Sequence, residues 1–473
     1  MSSSENPTLV DGEETTQFGY KSELRRTLGF FSTFAVSFSL MSITTGLFAN
    51  YGFGLNAAGP VFVWTWPIVG LGNVLIALTL AHLATRVPLA GYAYQWSARM
   101  VSLGYGWFPG WLALVGWLTG TAGVAYAFAS YFCPFVGMGS STGTIVAVTI
   151  VTLVAWAVIH LVGLRFASAL NNFSVVAEIV GTLLVGLALF VWVFLNGGTH
   201  VDLFSNTGAA TAGLGGFALS SLTAAYTLTG FEGAADLAEE SGKPTKSVPK
   251  AIVNSVLISA IGGFVVLLGF TLAIPNVQEI QASPTPLLAI VEAHFGNVVS
   301  SLFMVLVFIA IFACGLINLA AVSRLGWSMA RDSVLPGSKH LVKVSTINRV
   351  PYVAIIAATV ISILFTLGAQ IEAIITSVSS VAVYTSYALI IIAGMWNRTG
   401  IVQPADGFSL GRWFKPIGVL AILWIIVMDL ALTLPAQNNV AGYSGLVVLA
   451  LGVLWYFIRI RPLARTRAQL DRP

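Results

Sequence analysis

Residues 30–48 form an apolar run whose far end reads SITTGLF, placing Ser42, Thr44, Thr45 and Gly46 where leucine or valine would bury more apolar surface. A second apolar run carries AYTLTGFEGAADLAEE over residues 225–240, where Thr229, Gly230 and Phe231 repeat the threonine, glycine, apolar order of Thr45, Gly46 and Leu47. Such residues let a helix unwind, because glycine tolerates non-helical backbone and hydroxyls hydrogen-bond the groups set free. The chemistry this permits is binding. N–H groups that open a half-helix, at the positive end of its dipole, suit a carboxylate or other anion, and the carbonyls that close one suit an ammonium. Acids also lie in apolar runs, among them Glu178 in NNFSVVAEIVG, Glu232 directly after the second interruption, Glu372 near a run end, and Asp429. A carboxyl group shut away from water favours its neutral form, so an acid so placed can take up and release a proton as its access to water changes.

The elements that must hold these residues are membrane-spanning helices. The chain of 473 residues is 57% hydrophobic and 8% charged, too few charges to cover a soluble surface. Twelve apolar stretches are long enough to cross about 30 Å of hydrocarbon: residues 30–54, 60–84, 107–131, 143–162, 172–195, 213–237, 249–274, 298–323, 351–368, 372–395, 415–434 and 443–460. The first has no small-residue cleavage site after it and reads as a retained helix. All 22 lysines and arginines fall in the two tails, in loops after even-numbered spans or at the span ends that adjoin them, and none lies in an odd-numbered loop. Positive charge is retained on the cytoplasmic side of short loops, so both termini are expected in the cytoplasm and the protein in the cell (cytoplasmic) membrane as a multi-pass protein. The polar first 20 residues read as disordered. Residues 86–106 mix aromatic and apolar side chains with two charges and predict a short amphipathic helix on the inner interface.

The interruptions fall in the first and sixth spans, corresponding members of two five-helix halves that run in opposite directions. Interrupted helices at matching places of inverted halves point to a transporter's binding site, because backbone groups left free in the membrane need a partner and a substrate can supply it. Close packing of neighbouring helices against small residues is the other reading of each site taken singly.

With these features in place, the sequence resembles the amino acid, polyamine and organocation (APC) superfamily, and within it the amino acid/choline branch that includes the GABA and amine permeases. The resemblance covers about residues 28–460 and rests on TGFEGAADLAEESGKPTKSVPKAI (229–252), SRLGWSMARDSVLP (323–336) and VPLAGYAYQW (87–96). It implies an all-α integral membrane fold of twelve transmembrane helices, a LeuT-like five-plus-five inverted repeat with helices 1 and 6 broken and two further helices at the periphery. The implied organisation is an N-terminal tail (1–28), repeats at 29–195 and 196–395, helices 11 and 12 (396–460), and a C-terminal tail (461–473). By position, the substrate's carboxylate would meet Thr44, Thr45 and Gly46, its amine the carbonyls from Tyr226 to Thr229, and Tyr226 would act as an aromatic gate; ordinary packing is the other reading of Tyr226. Ser42, Gly230, Phe231 and Asn318 complete the candidate binding set.

Some proton-coupled members of the superfamily place a lysine where Glu178 stands, so that mechanism does not carry over directly. Two readings are open for Glu178: a proton-coupling site, or a neutral acid hydrogen-bonded between helices. Glu232 has the same pair of readings, with support of the unwound backbone the plainer one. A sodium cage would need facing hydroxyls and carbonyls, and the place where they are expected reads Ile317-Asn318, so protons are the favoured coupling ion. Glu239, Glu240, Arg331 and Asp332 allow inner-gate ion pairs, but a solvated loop is the simpler expectation. The function expected is uptake of an amino acid or related small amine by alternating access, with an exchanger or uncoupled facilitator for amines such as GABA, choline or polyamines as the alternative.

Other classes fit poorly. Cys133 and Cys314 make no disulfide framework or metal site, and no H-E-x-x-H or G-x-S-x-G motif supports an enzyme. The net charge of +4 comes from the one-sided loops and does not form a nucleic-acid surface. No cofactor is implied.

Overall fold

The computed structural model describes residues 18–21, 23–199, 201–207, 214–367, 371–401, 407–435 and 438–470; the side chain of Glu372 lies outside the described part. The described residues are helical with no strand, apart from one isolated bridge between Leu28 and Ser241. The first apolar run forms two helices, α1 (Phe30–Met41) and α2 (Ile43–Ala58), and a 3-10 segment, Gly59–Trp64, leads into α3 (Thr65–Ala84). There follow α4 (Tyr92–Met100), α5 (Leu103–Phe135), α6 (Thr142–Val162) and α7 (Leu164–Leu195). The sixth run is in pieces: α8 (Leu214–Ser220), α9 (Leu222–Thr227), α10 (Gly233–Asp236) and a 3-10 turn, Ala238–Glu240. Then come α11 (Pro244–Leu272), α12 (Val277–Ala282), α13 (Pro286–Arg331), α14 (Ser338–Leu341), α15 (Tyr352–Thr366), α16 (Ile371–Trp396), α17 (Phe414–Thr433), α18 (Asn439–Trp455) and, past a π-helical turn, α19 (Arg461–Leu470).

Nine helical stretches among the described residues are long and apolar enough to cross a membrane. The first, Phe30–Ala84, contains two of the expected spans, while Tyr352–Thr366 is apolar but shorter and the sixth run fails the length test because it is broken. α13 changes direction at Gly296, whose φ of 76° no helix accommodates, so residues 286–295 form a separate helix before the span proper. The sequence did not signal that helix.

α5 is the central post. The most apolar window of Leu103–Phe135 is 89% buried, against 28% for Gly411–Thr433 and 11% for Gly442–Thr466, which puts the last two spans at the rim. α5 packs against α16, α13 and α4; α11 packs against α3, α7 and α1. The outward residues are apolar too, among them Leu71, Val151, Val162, Leu184 and Leu195, as expected where lipid replaces water as the solvent. The amphipathic helix expected within residues 86–106 exists as α4, but Tyr92, Tyr94, Gln95, Trp96 and Ser97 are buried, so it is wedged into the end of the bundle that carries the lysines and arginines and does not lie on an interface. Its Trp96 indole N–H donates to the Val87 carbonyl at 2.7 Å, holding it there.

Candidate functional site

α1 ends because Ser42 takes φ 34° and ψ 95°, outside any helix. Its hydroxyl oxygen then accepts the Thr45 N–H at 3.2 Å and caps α2, the use to which serine is best suited at a helix start. In the sixth run, α9 stops at Thr227, Gly230 has φ 101°, and α10 begins at Gly233. The Leu228 carbonyl freed by this break accepts from Asn73 Nδ2 at 2.8 Å, and Asn73 Oδ1 in turn accepts from the Tyr384 hydroxyl at 2.9 Å. Ser37 of α1 accepts the Ala234 N–H at 3.1 Å, so one broken helix caps the other.

The two breaks cross at their glycines. A Cβ on Gly46 would lie 2.1 Å from Thr227 Oγ1, and one on Gly230 would lie 2.9 Å from Leu40 Cβ and 3.1 Å from the Leu40 carbonyl carbon. Only glycine permits that approach. Between the breaks lies a cavity of about 20 Å³, room for about one water, so its walls must part before an amino acid fits. Thr45, Gly46, Tyr226, Thr229 and Asn318 line it. These five of the expected residues are therefore together. Sequence reasoning did not pick out Trp117 and Gly120 of α5, Ser379 of α16, or Leu40, Met41, Val124 and Cys314, which complete the wall.

The other expected binding residues lie elsewhere. Ser42 and Thr44 face the opposite side of the broken helix. The Thr44 N–H donates to Glu178 Oε1 at 2.9 Å, the Ser42 hydroxyl donates to the same oxygen at 3.0 Å, and the Thr44 and Thr182 hydroxyls are 2.6 Å apart. Glu178, wholly within the protein on α7, thus occupies from behind the helix start that a substrate carboxylate was expected to meet. Gly230 and Phe231 form the crossing itself: the Gly230 N–H donates to the Tyr387 hydroxyl at 3.4 Å, and the Phe231 ring packs on that of Tyr387 at 5.3 Å. Glu232 accepts from the Tyr92 hydroxyl at 3.0 Å on Oε1 and from the Tyr387 hydroxyl at 2.5 Å on Oε2. Asp429 accepts from the Thr385 hydroxyl at 3.0 Å, outside the cavity.

At the basic end, the solvated loop expected for Glu239 and Glu240 is replaced by buried ion pairs. Arg324 and Glu240 meet at 2.7 Å with side chains 0% and 2% exposed, and Arg331 grips both oxygens of Glu239 at 2.6 and 3.1 Å. The tail before α1 joins them. The Thr27 and Leu28 N–H groups both donate to the Glu240 carbonyl at 3.0 Å. The Tyr20 ring stacks 4.1 Å from the Arg331 guanidinium, its hydroxyl donates to Asp332 at 2.9 Å, and it accepts from Arg99. Burial, and after it the Asp332 charge, push the Tyr20 hydroxyl above the ordinary tyrosine range. His160 is a buried hydrogen-bonder, its Nε2 lying 2.7 Å from the Leu316 carbonyl. Among the described residues no three His, Cys, Asp or Glu side chains converge on a point that could hold a metal.

The sequence profile of the family described as "Amino acid permease" matches residues 28–457. The chain is 26% identical to the amino-acid permease BAT1 of Arabidopsis thaliana over 95% of each chain. It is 25% identical to the BAT1 homolog of Oryza sativa subsp. japonica over 90% of this chain and 88% of that one. It is 25% identical to the GABA-specific permease of Saccharomyces cerevisiae over 91% of this chain and 80% of that one.

Proposed function

Because this chain belongs to the amino acid permease family, and is therefore a membrane transporter and not an enzyme, we propose that it takes up an amino acid or related small amine by proton-coupled alternating access. The observation that carries this reading is the meeting of both helix breaks in one cavity lined by Thr45, Gly46, Tyr226, Thr229 and Asn318. When the walls separate, the N–H groups at the start of α2 are the donors for a carboxylate, in competition with Ser42 and Glu178, and the Tyr226 carbonyl end of α9 is the acceptor for an amine. Tyr226, on the cavity wall, is the proposed gate.

The proposed architecture is twelve crossings in two inverted five-helix repeats, residues 29–195 and 196–395, with 396–460 peripheral. The pairing of interrupted spans one and six and the rim position of the last two helices support it. The one-sided lysines and arginines support cytoplasmic termini. On this orientation the pairs Arg324–Glu240 and Arg331–Glu239, with the tail packed over them, close the cytoplasmic path. Glu178 and Glu232 are the acids at the two breaks and the proposed places of proton coupling, while sodium lacks an obvious oxygen cage. Glu232 accepts a hydrogen bond on each oxygen and Glu178 accepts two on one oxygen, which also favours the second reading, exchange or facilitated passage with both acids structural. A relative named for GABA and others named for amino acids leave the substrate within those classes.

Reconstituted protein should accumulate at least one of labelled alanine, leucine, glutamate, arginine, GABA or choline against its gradient when protons are supplied from the opposite side. Accumulation that survives a proton ionophore, or uptake that only equilibrates, would remove proton coupling and leave the second reading.

A further inference from the structure

Asp236 ends α10, one helical turn beyond Glu232 toward the basic end. Its side chain is wholly buried, and neither carboxyl oxygen has a hydrogen-bond partner. Glu232, four residues earlier, is the opposite case, with a tyrosine hydroxyl on each oxygen. Among the described residues no counter-charge is at hand either. α10 packs against α1, α11, α13 and the turn Ala238–Glu240. α1 has no titratable residue. On and before α11, Lys243, Lys246 and Lys250 are exposed. On α13, Arg324 and Arg331 are engaged by Glu240 and Glu239, the two acids of the turn, and Cys314 is a thiol whose sulfur lies 3.7 Å from the Leu40 carbonyl. Tyr92 of α4 is also near, and its hydroxyl is committed to Glu232.

An ionised carboxyl buried with neither donor nor cation is disfavoured far more than its neutral acid, whereas two donors on a carboxylate favour its charge. We propose that Asp236 binds the proton that crosses with the substrate. This rests on the proton-coupled reading above and assigns the proton a place. Of the two acids, Glu232 keeps the charge and Asp236 keeps the proton while α10 is closed on α1 and α13. A proton arriving from the cavity side reaches Asp236 through Glu232, which stands at the break, and bonds to a carboxylate oxygen. Parting of α10 from α1 and α13 admits water from the basic end, the O–H bond breaks, and the proton leaves to that water with Asp236 ionised. Because the carboxyl is solvated only in that movement, release is tied to the step that frees the substrate.

The test uses full-length protein in lipid nanodiscs and protons as the probe. Infrared difference spectra at neutral pH should show a protonated-carboxyl C=O band in wild type that Asp236→Asn lacks and that Glu232→Gln and Glu178→Gln retain. Asp236→Glu should restore a band, shifted. In liposomes Asp236→Asn should lose accumulation driven by a proton gradient and keep exchange of the same labelled amino acid; Asp236→Glu should recover the response. A full wild-type set of carboxyl bands in Asp236→Asn, or accumulation by that variant in a proton gradient, would overturn the proposal. If wild type accumulates none of the panel, the transport reading fails, and the infrared bands alone decide whether Asp236 holds a proton.

Discussion

Replacing Glu178 by alanine tests whether this acid holds the first helix break in place. One carboxylate oxygen accepts both the Thr44 N–H at 2.9 Å and the Ser42 hydroxyl at 3.0 Å. Ser42 keeps a second partner, the Thr45 hydroxyl at 2.6 Å, and can turn to it. The Thr44 N–H has no such recourse. A buried donor left unpaired costs about 1–3 kcal/mol, and the one methylene lost, Cγ, removes about 0.8 kcal/mol more. Glu178→Ala should therefore lose roughly 2–4 kcal/mol, while Glu178→Gln, which keeps an acceptor oxygen, should stay within about 1 kcal/mol of wild type. Reversible unfolding by detergent titration in mixed micelles at neutral pH reads both. Equal stability of Glu178→Ala and wild type, or equal damage from glutamine and alanine, would refute the argument that the acid acts as a hydrogen-bond acceptor at this helix start.

Gly46→Ala places a Cβ 2.1 Å from Thr227 Oγ1 and 2.5 Å from Thr227 Cβ; overpacking of about 1–3 kcal/mol should abolish uptake, and adding Thr227→Gly, which removes both atoms, should restore part of it. Glu240→Gln strands the fully buried Arg324, so the same unfolding titration should record a loss of about 3–5 kcal/mol, with faster thiol labelling from the basic end. Tyr20→Phe keeps the stacking on Arg331 but loses the hydrogen bond to Asp332, a loss of about 1–2 kcal/mol. Since the folded protein raises the Tyr20 hydroxyl above its ordinary value, the neutral hydroxyl's contribution is complete below about pH 10 and is lost as pH climbs from there through the raised value. The difference between Tyr20→Phe and wild type should accordingly be flat through the neutral range and shrink only in alkali.

The helix breaks were legible because serine, threonine and glycine gather inside two apolar runs at matching places, which close packing explains for one site but not for the pair. The facing of each residue was not legible. Ser42 and Thr44 lie within four residues of Gly46, yet rotation about the helix axis turns them toward Glu178 while Thr45 and Gly46 face the cavity. The charges of Glu239 and Glu240 suggested water because their partners, Arg331 and Arg324, are 92 and 84 residues away in sequence. Asp236 passed unremarked for the same reason: next to Glu239 and Glu240 it reads as one more acid of a polar helix end, and only the packing of α1 and α13 around it shows that it is dry. The kink at Gly296 left no trace in an apolar pattern that continues through it.

The central claim is that substrate sits between the two breaks, and Cys314, on that wall, is a native reporter of it. In a Cys133→Ser background, the rate at which a small thiol reagent modifies Cys314 should fall in the presence of a saturating amino acid that the protein transports, and should not respond to one it does not. A labelling rate indifferent to the transported amino acid would place the binding site elsewhere and contradict the account.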